Sequence, residues 1–343
     1  MKIKLFVLLV FAVNMVYSQT GGTTTFSLLD LTYNARAAGL GNDFISIKDQ
    51  DINLGIANPS LYNAKMHKQL SVNQALLAGG INYGQAAYGI NFKGGFLGTS
   101  VRYVNYGNFT RTEVNGTSSG SFSPFECIVG AGYGKQLNPR ISVGANLNFI
   151  ASQLETYSAY GASIDLAGTY TDKNDNLLIT ALVKNAGVQF KNYYTNERDP
   201  LPTEFQMAFS YKLNHAPFRF SLLTHHLNKW DITYNDPNLK PTIDQLTGDT
   251  IPVKYAGFGE KLARHFTYQV EILISKNIHL RSGFDYHRRQ EMKLEERPGM
   301  AGFTMGLGLY FKKISIDYGF SIYSRAGFNN MLTLSTNLSQ WRK

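Results

Sequence analysis

From about Lys68 onward the chain repeats one unit: a run of about ten residues alternating apolar and polar, then a turn. That period of two belongs to strands whose faces meet different surroundings. Ile141, Val143, Ala145, Leu147 and Phe149 share one face, while Ser142, Gly144, Asn146 and Asn148 share the other. Phe205, Met207, Phe209, Tyr211 and Leu213 oppose Glu204, Gln206, Ala208, Ser210 and Lys212, and the stretches 303–311 and 314–322 repeat the pattern. Taken in order, the alternation predicts strands near 68–77, 81–92, 96–107, 121–135, 141–154, 160–171, 177–185, 203–213, 218–227, 263–275, 278–287, 302–311, 313–323 and 331–339, about fourteen in all.

The connections add a second regularity. Those after the even-numbered strands are short, such as Lys93-Gly94-Gly95 and Lys276-Asn277, whereas the long ones, 108–120, 186–202, 228–262 and 288–301, all follow odd-numbered strands. An even strand count with short turns at one end and long loops at the other is the organisation of an outer-membrane barrel, short turns periplasmic and long loops outside. The expected fold is therefore all-β, a 14-stranded antiparallel transmembrane β-barrel, with the apolar faces toward lipid. The polar faces would line the interior with Glu126, Asp165, Lys184, Glu204, Lys212, Arg219, Glu271, Arg281, Asp285 and Asp317, both signs together and suited to structural ion pairs.

Asn34 to Leu61 breaks this pattern. It runs Asn34-Ala35-Arg36-Ala37-Ala38-Gly39-Leu40-Gly41, passes through acidic Asp43, Asp49 and Asp51, and ends at Ala57-Asn58-Pro59-Ser60-Leu61. A non-strand segment ahead of a barrel's first strand is expected to start on the periplasmic side, directly beneath the lumen, and to act as an internal hatch in or under the lumen. Gly39 and Gly41 permit tight bends and Asn58-Pro59 a turn, while Arg36, Asp43, Asp49 and Asp51 could pair with the charged wall. Residues 1–18 read as a secretory signal: Lys2 and Lys4, an apolar run from Leu5 to Val16, and Val16 and Ser18 before cleavage at Gln19. The apolar run of about 12 residues is too short for a spanning helix, which needs about 20, and no later segment offers 18 consecutive apolar residues. The organisation expected is a signal peptide at 1–18, an N-terminal segment and hatch at 19–66, and the outer-membrane barrel at 67–343.

Composition refines this picture in three ways. The formal charge of +9 falls to +7 when Lys2 and Lys4 leave with the signal (9 − 2); it is scattered, which suits anionic lipid or lipopolysaccharide and not nucleic acid. The 21 Tyr and 22 Phe beside 2 Trp suit interfacial girdles. A lone cysteine, Cys127, makes no intramolecular disulfide and reads as a small hydrophobe.

No catalytic set, cofactor motif or metal motif emerges. His225 and His226 adjoin Trp230 and Asp231, but neighbours on a strand face opposite ways and would not easily share a metal. The Ser, His and Asp residues show no nucleophile-elbow spacing, although a barrel phospholipase, built on a Ser, a His and an Asn, stays open. Gly130 to Lys135 superficially looks like a phosphate loop, yet Val129 stands where the first Gly belongs and the run lies within a strand. The largest insertion, 228–262, carries Pro237, Pro241 and Pro252; its Trp230, Asp231, Tyr234 and Tyr255 are candidates for a partner-docking surface.

The run from Ala35 to Gly41 followed by Asn58-Pro59-Ser60-Leu61 resembles the N-terminal pattern of the fatty-acid-transporter-like barrels of Bacteroidetes, the group containing the PorV and PorQ families. Gly22 to Ser27, His215 to Leu222, His226-Leu227 with Trp230-Asp231, and Asp317-Tyr318-Gly319 followed by Gly327 and Asn329 are most similar to the PorQ family. The resemblance runs through nearly the whole mature chain and brings no catalytic motif. It implies a non-enzymatic outer-membrane component of the type IX secretion system attachment complex, without a cofactor. Its implied partners are a PorZ-like surface protein, a PorU-like sortase and a PorV-like shuttle barrel, which together process cargo and link it to anionic lipopolysaccharide. A channel for hydrophobic small molecules shares the fold and the plug, so fold alone does not separate the two.

Overall fold

The computed structural model describes residues 24–77, 80–194, 199–234, 240–243, 248–253, 255–293, 299–324 and 327–341. The expected signal segment 1–18, Gln19 and Pro237 lie outside the described residues. The strands are β1 (Gln69–Leu76), β2 (Asn82–Phe92), β3 (Gly95–Asn105), β4 (Phe109–Thr112), β5 (Ser118–Phe122), β6 (Phe125–Asn138), β7 (Ile141–Leu154), β8 (Tyr157–Thr171), β9 (Leu177–Lys191), β10 (Glu204–Lys212), β11 (Phe218–Thr224), β12 (Thr242–Ile243), β13 (Thr250–Ile251), β14 (Phe266–Ile272), β15 (Ile278–Asp285), β16 (Phe303–Tyr310), β17 (Ile314–Ser324) and β18 (Gly327–Asn337). Fourteen of them close into one antiparallel barrel, with β1 paired to both β2 and β18, while β4–β5 and β12–β13 are separate two-stranded hairpins.

All fourteen expected strands are present, and the differences lie at their ends. β9 runs on to Lys191, and β11 stops at Thr224 where the alternation suggested 227. The long connection after β3 holds the β4–β5 hairpin, and the one after β15 begins with a helix, Tyr286–Met292. Residues Tyr234–Val253 form a compact unit of their own containing β12–β13. The tight turn between β2 and β3 has Lys93 at φ 45° and Gly94 at φ 74°, the pair of positive angles that matches a two-residue turn to the strands' right-handed twist.

Burial follows the alternation. Along β10, Glu204, Gln206, Ala208 and Ser210 are buried and Phe205, Met207, Phe209 and Tyr211 are exposed; β7 likewise exposes Leu147 and Phe149 while burying Asn146 and Asn148. An exposed apolar belt over a polar interior is stable when the belt meets lipid. Of the expected interior charges, Glu126, Asp165, Glu204, Glu271, Arg281, Asp285 and Asp317 are buried, and Lys212, at the end of its strand, is exposed.

Candidate functional site

The lumen is filled by the segment ahead of β1, and its course differs from the one expected. Its described part starts at the long-loop end, where the Thr25 amide donates to the Pro200 carbonyl, and descends to the short-turn end, where the Lys68 amide bonds Gly89. Of the two placements expected, in or under the lumen, the described stretch stands in it; what differs is the end at which it starts. The physical reason is that its apolar side chains, Leu40, Phe44, Ile47, Ile52, Leu54, Leu61 and Met66, pack into one buried cluster against Ala87 and Phe96 of the wall.

An irregular backbone inside a barrel needs partners for its amides and carbonyls. The wall supplies them from its polar face. Thr333 Oγ1 accepts from the Ala35 amide at 2.9 Å and Thr304 Oγ1 from Gly41 at 2.8 Å. The Gln269 amide donates to the Leu40 and Asp43 carbonyls at 2.7 and 2.6 Å, Ser321 Oγ to Ala38 at 2.9 Å, and Asn146 Nδ2 to Ile56 at 2.9 Å. Where backbone lies directly on backbone the wall residue is glycine. A Cβ on Gly306 would sit 3.2 Å from Gly39 Cα, one on Gly319 2.2 Å from the Ala35 carbonyl oxygen, and one on Gly144 2.2 Å from the Pro59 carbonyl oxygen.

Arg36 ties the segment to the wall electrostatically. Its guanidinium reaches Asp49 at 2.6 Å, Asp51 at 3.7 Å and Glu271 of β14 at 3.1 Å. Glu271 also receives Arg219 at 2.7 Å and Arg281 at 3.1 Å, and Arg281 continues to Asp317 and Tyr310. Three guanidinium groups and four carboxylates thus form one network across the lumen, buried at Arg36, Glu271, Arg281 and Asp317 and partly exposed at Asp49, Asp51 and Arg219. Burial raises the Asp49 carboxyl, but Arg36 overrides it and holds the group below the usual carboxylate range; at Asp51 burial prevails over Arg36, and Asp49 adds to the upward push. Asp43 stands apart from this network, accepting from Lys184 at 3.2 Å and Gln206 at 2.8 Å. Asn58 accepts from the Ser60 amide at 3.0 Å and donates to the Ile45 carbonyl at 2.7 Å, with Pro59 opening the short turn that follows. Arg36, Asp49 and Asp51 therefore meet one another, whereas Gly39, Gly41, Asp43, Asn58 and Pro59 each meet the wall or the segment itself at separate points.

Toward the long-loop end, a chamber of about 360 Å³ remains between Leu29–Asn34 of this segment and a wall contributed by Gln85, Arg102, Asp165, Lys184, Glu204 and Gln206. A bulge shapes that wall: Ile164 pairs Ala186 and Leu166 pairs Val183, so Lys184 and Asn185 oppose Asp165, with Asn185 at φ 57° and its amide donating to Asp165 at 2.8 Å. His225, His226 and His287 also line the chamber.

The two adjacent histidines do not point apart as the alternation suggested. β11 has ended at Thr224, and His226 takes a left-handed φ of 55°, which swings its imidazole back until the two Nδ1 atoms are 2.8 Å apart. Burial, and then His226, push the His225 imidazole down to about 4. Sequence reasoning missed this convergence because it assumed a strand through 227; only the backbone angle at 226 reveals it.

Of the candidate docking residues, Trp230 is half exposed and lies over Phe258 with ring centres 5.1 Å apart, and Asp231 receives Lys261 at 2.6 Å. Phe258 and Lys261 belong to the helix Phe258–Ala263, so Trp230 and Asp231 share one support. Tyr234 and Tyr255 are both well exposed.

No family model matches the chain, and no curated protein matches it. Among solved structures it is similar to the toluene transporter TodX of Pseudomonas putida, with a TM-score of 0.54 and 13% identity over 90% of this chain and 98% of that one. It is also similar to the toluene transporter TbuX of Ralstonia pickettii, with a TM-score of 0.50 and 11% identity over 91% of this chain and all of that one. The chain thus shares the fold of these transporters, here a closed barrel of fourteen antiparallel strands.

Proposed function

We propose that the chain is a sealed barrel serving as a non-enzymatic component of the type IX secretion system attachment complex, anchoring surface partners that process cargo and link it to anionic lipopolysaccharide. The sealed state is supported by the lumen itself. It is crossed by the charged Arg36–Glu271 network and the packed cluster around Leu40 and Phe44, and the chamber above it is lined with charges, a poor path for a hydrophobic solute. The secretion role rests on the PorQ-like motifs in the sequence, and the PorZ-, PorU- and PorV-like partners come with it. Trp230, Asp231, Tyr234 and Tyr255 are the residues we assign to docking.

A second reading is an outer-membrane channel for hydrophobic small molecules. It is favoured by the similarity to two toluene transporters, and the comparisons support it more than the first. The wall adds one observation: beyond Lys184, β9 pairs with β8 alone, because β10 begins at Glu204, so the β9–β10 ladder ends at the level of the chamber.

Co-purification from native membranes, paired with toluene uptake into vesicles carrying the barrel, separates the two. The attachment role predicts a retained PorZ-like surface partner and no uptake above empty vesicles, and deletion of 232–258 should weaken partner capture while the barrel still assembles. Uptake without a partner would replace the first reading by the second.

A further inference from the structure

The convergence of His225 and His226 places a third donor beside them. Glu204, the first residue of β10, has Oε1 3.4 Å from His226 Nδ1 and also accepts the His226 amide at 3.0 Å. One potential ligand atom from each of Glu204, His225 and His226 lies within 4.8 Å of the other two. Around a tetrahedral ion with bonds of about 2.1 Å, ligand atoms stand about 3.4 Å apart. The Glu204–His226 spacing already has that value, the Glu204–His225 spacing lies within 4.8 Å, and the two imidazole Nδ1 atoms need to part by about half an ångström.

The burial of the site points to a cation. Glu204 and His225 are each 7% exposed. A buried carboxylate calls for a compensating charge. The nearby cations make their hydrogen bonds elsewhere: Lys184, opposite Glu204 in the sheet and sharing its charge between Glu204 and Asp43, bonds Asp43, and Arg264 bonds Glu260 and Glu291. His265 is committed as well, with Nδ1 facing the His225 carbonyl at 2.8 Å and Nε2 the Trp230 carbonyl at 3.1 Å, which fixes the turn carrying the pair.

We propose that Glu204, His225 and His226 form a binding site for a divalent transition-metal ion, Zn²⁺ being the reference case, at the base of the long loops. Two imidazoles and one carboxylate suit a borderline ion and not Mg²⁺ or Ca²⁺, which prefer all-oxygen shells. Glu204, His225 and His226 all line the chamber, which leaves room for further ligands to the ion. Bound metal would tie the start of β10 to the end of β11, the strand from which the longest loop departs. The proposal holds under either functional reading above.

The test uses the tag-free full-length barrel in detergent, stripped with chelator and titrated calorimetrically with Zn²⁺, with Mg²⁺ in excess throughout. One ion per chain is expected at micromolar affinity or tighter, with imidazole scattering at the zinc absorption edge. His226→Asn keeps a side chain that tolerates positive φ and should weaken binding at least about 100-fold; Glu204→Gln should also weaken it. Retention of the heat-dependent gel shift controls for folding, and where Glu204→Gln fails that control His226→Asn decides alone. Equal Zn²⁺ affinity in wild type and His226→Asn, no binding by wild type, or loss of binding to Mg²⁺ competition would each overturn the assignment.

Discussion

Replacing Arg36 with methionine should release the hatch without opening the barrel. Arg36 is 3% exposed and its guanidinium is shared between hatch residues Asp49 and Asp51 and wall residue Glu271, while none of the fourteen-strand ladder depends on it. Removing one member of a buried ion pair costs about 3–5 kcal/mol, because the carboxylates stay behind without their partner. The lower end applies here: Glu271 keeps Arg219 and Arg281, and the Asp49 side chain is 36% exposed and can hydrate. Loss of the contact between Arg36 and the Phe44 ring, 5.3 Å away, acts in the same direction. About 3 kcal/mol corresponds to roughly a hundredfold rise in the undocked population. Hydrogen exchange across 34–62 should accelerate by about that factor while strand amides and the heat-dependent gel shift stay unchanged, and planar-bilayer recordings should show conductance steps missing from wild type. Asp49→Asn added to Arg36→Met should recover part of the loss, since the stranded charge goes with it. Unchanged exchange across 34–62, or loss of barrel assembly in place of hatch release, would refute the reasoning.

Three further outcomes follow from the same geometry. Gly319→Val places side-chain atoms where the Ala35 carbonyl oxygen lies 2.2 Å from a Cβ, so it should expose 34–41 to protease while β17 still pairs; wild-type protease resistance would contradict this. Asn58→Ala removes the cap on Ser60 and leaves the buried Ile45 carbonyl without its donor, at a cost of about 2 kcal/mol, read as faster exchange across 45–62. Burial works against the Asp231 carboxylate, but hydrogen bonds from Lys261 and Thr233 bring it down to about 2. Its ion pair with Lys261 is therefore complete above about pH 4, the ordinary aspartate range, and is lost as pH falls through about 2. Trp230 fluorescence should report that loss, and Asp231→Asn should abolish the transition.

What the sequence by itself determined was the barrel. A period of two over some fourteen runs, with connection lengths alternating short and long, leaves few architectures, because side-chain direction in a strand is fixed by parity and every amphipathic strand must present one face to lipid. Parity also placed Glu126, Glu271, Arg281 and Asp317 inside, since each lies opposite the face that carries its strand's large apolar residues.

Tertiary structure decided everything that joins distant stretches. That Arg36 meets Glu271 was not readable, because a charge inside a lumen can pair with any of several opposite charges and only the hatch's path selects one. The wall glycines at 144, 306 and 319 looked like interchangeable small interior residues until the hatch backbone lay against them. At 225–226 the local rule itself failed: two residues past the end of β11, a single left-handed angle reversed the direction that parity assigned, and side chains expected to diverge came into contact.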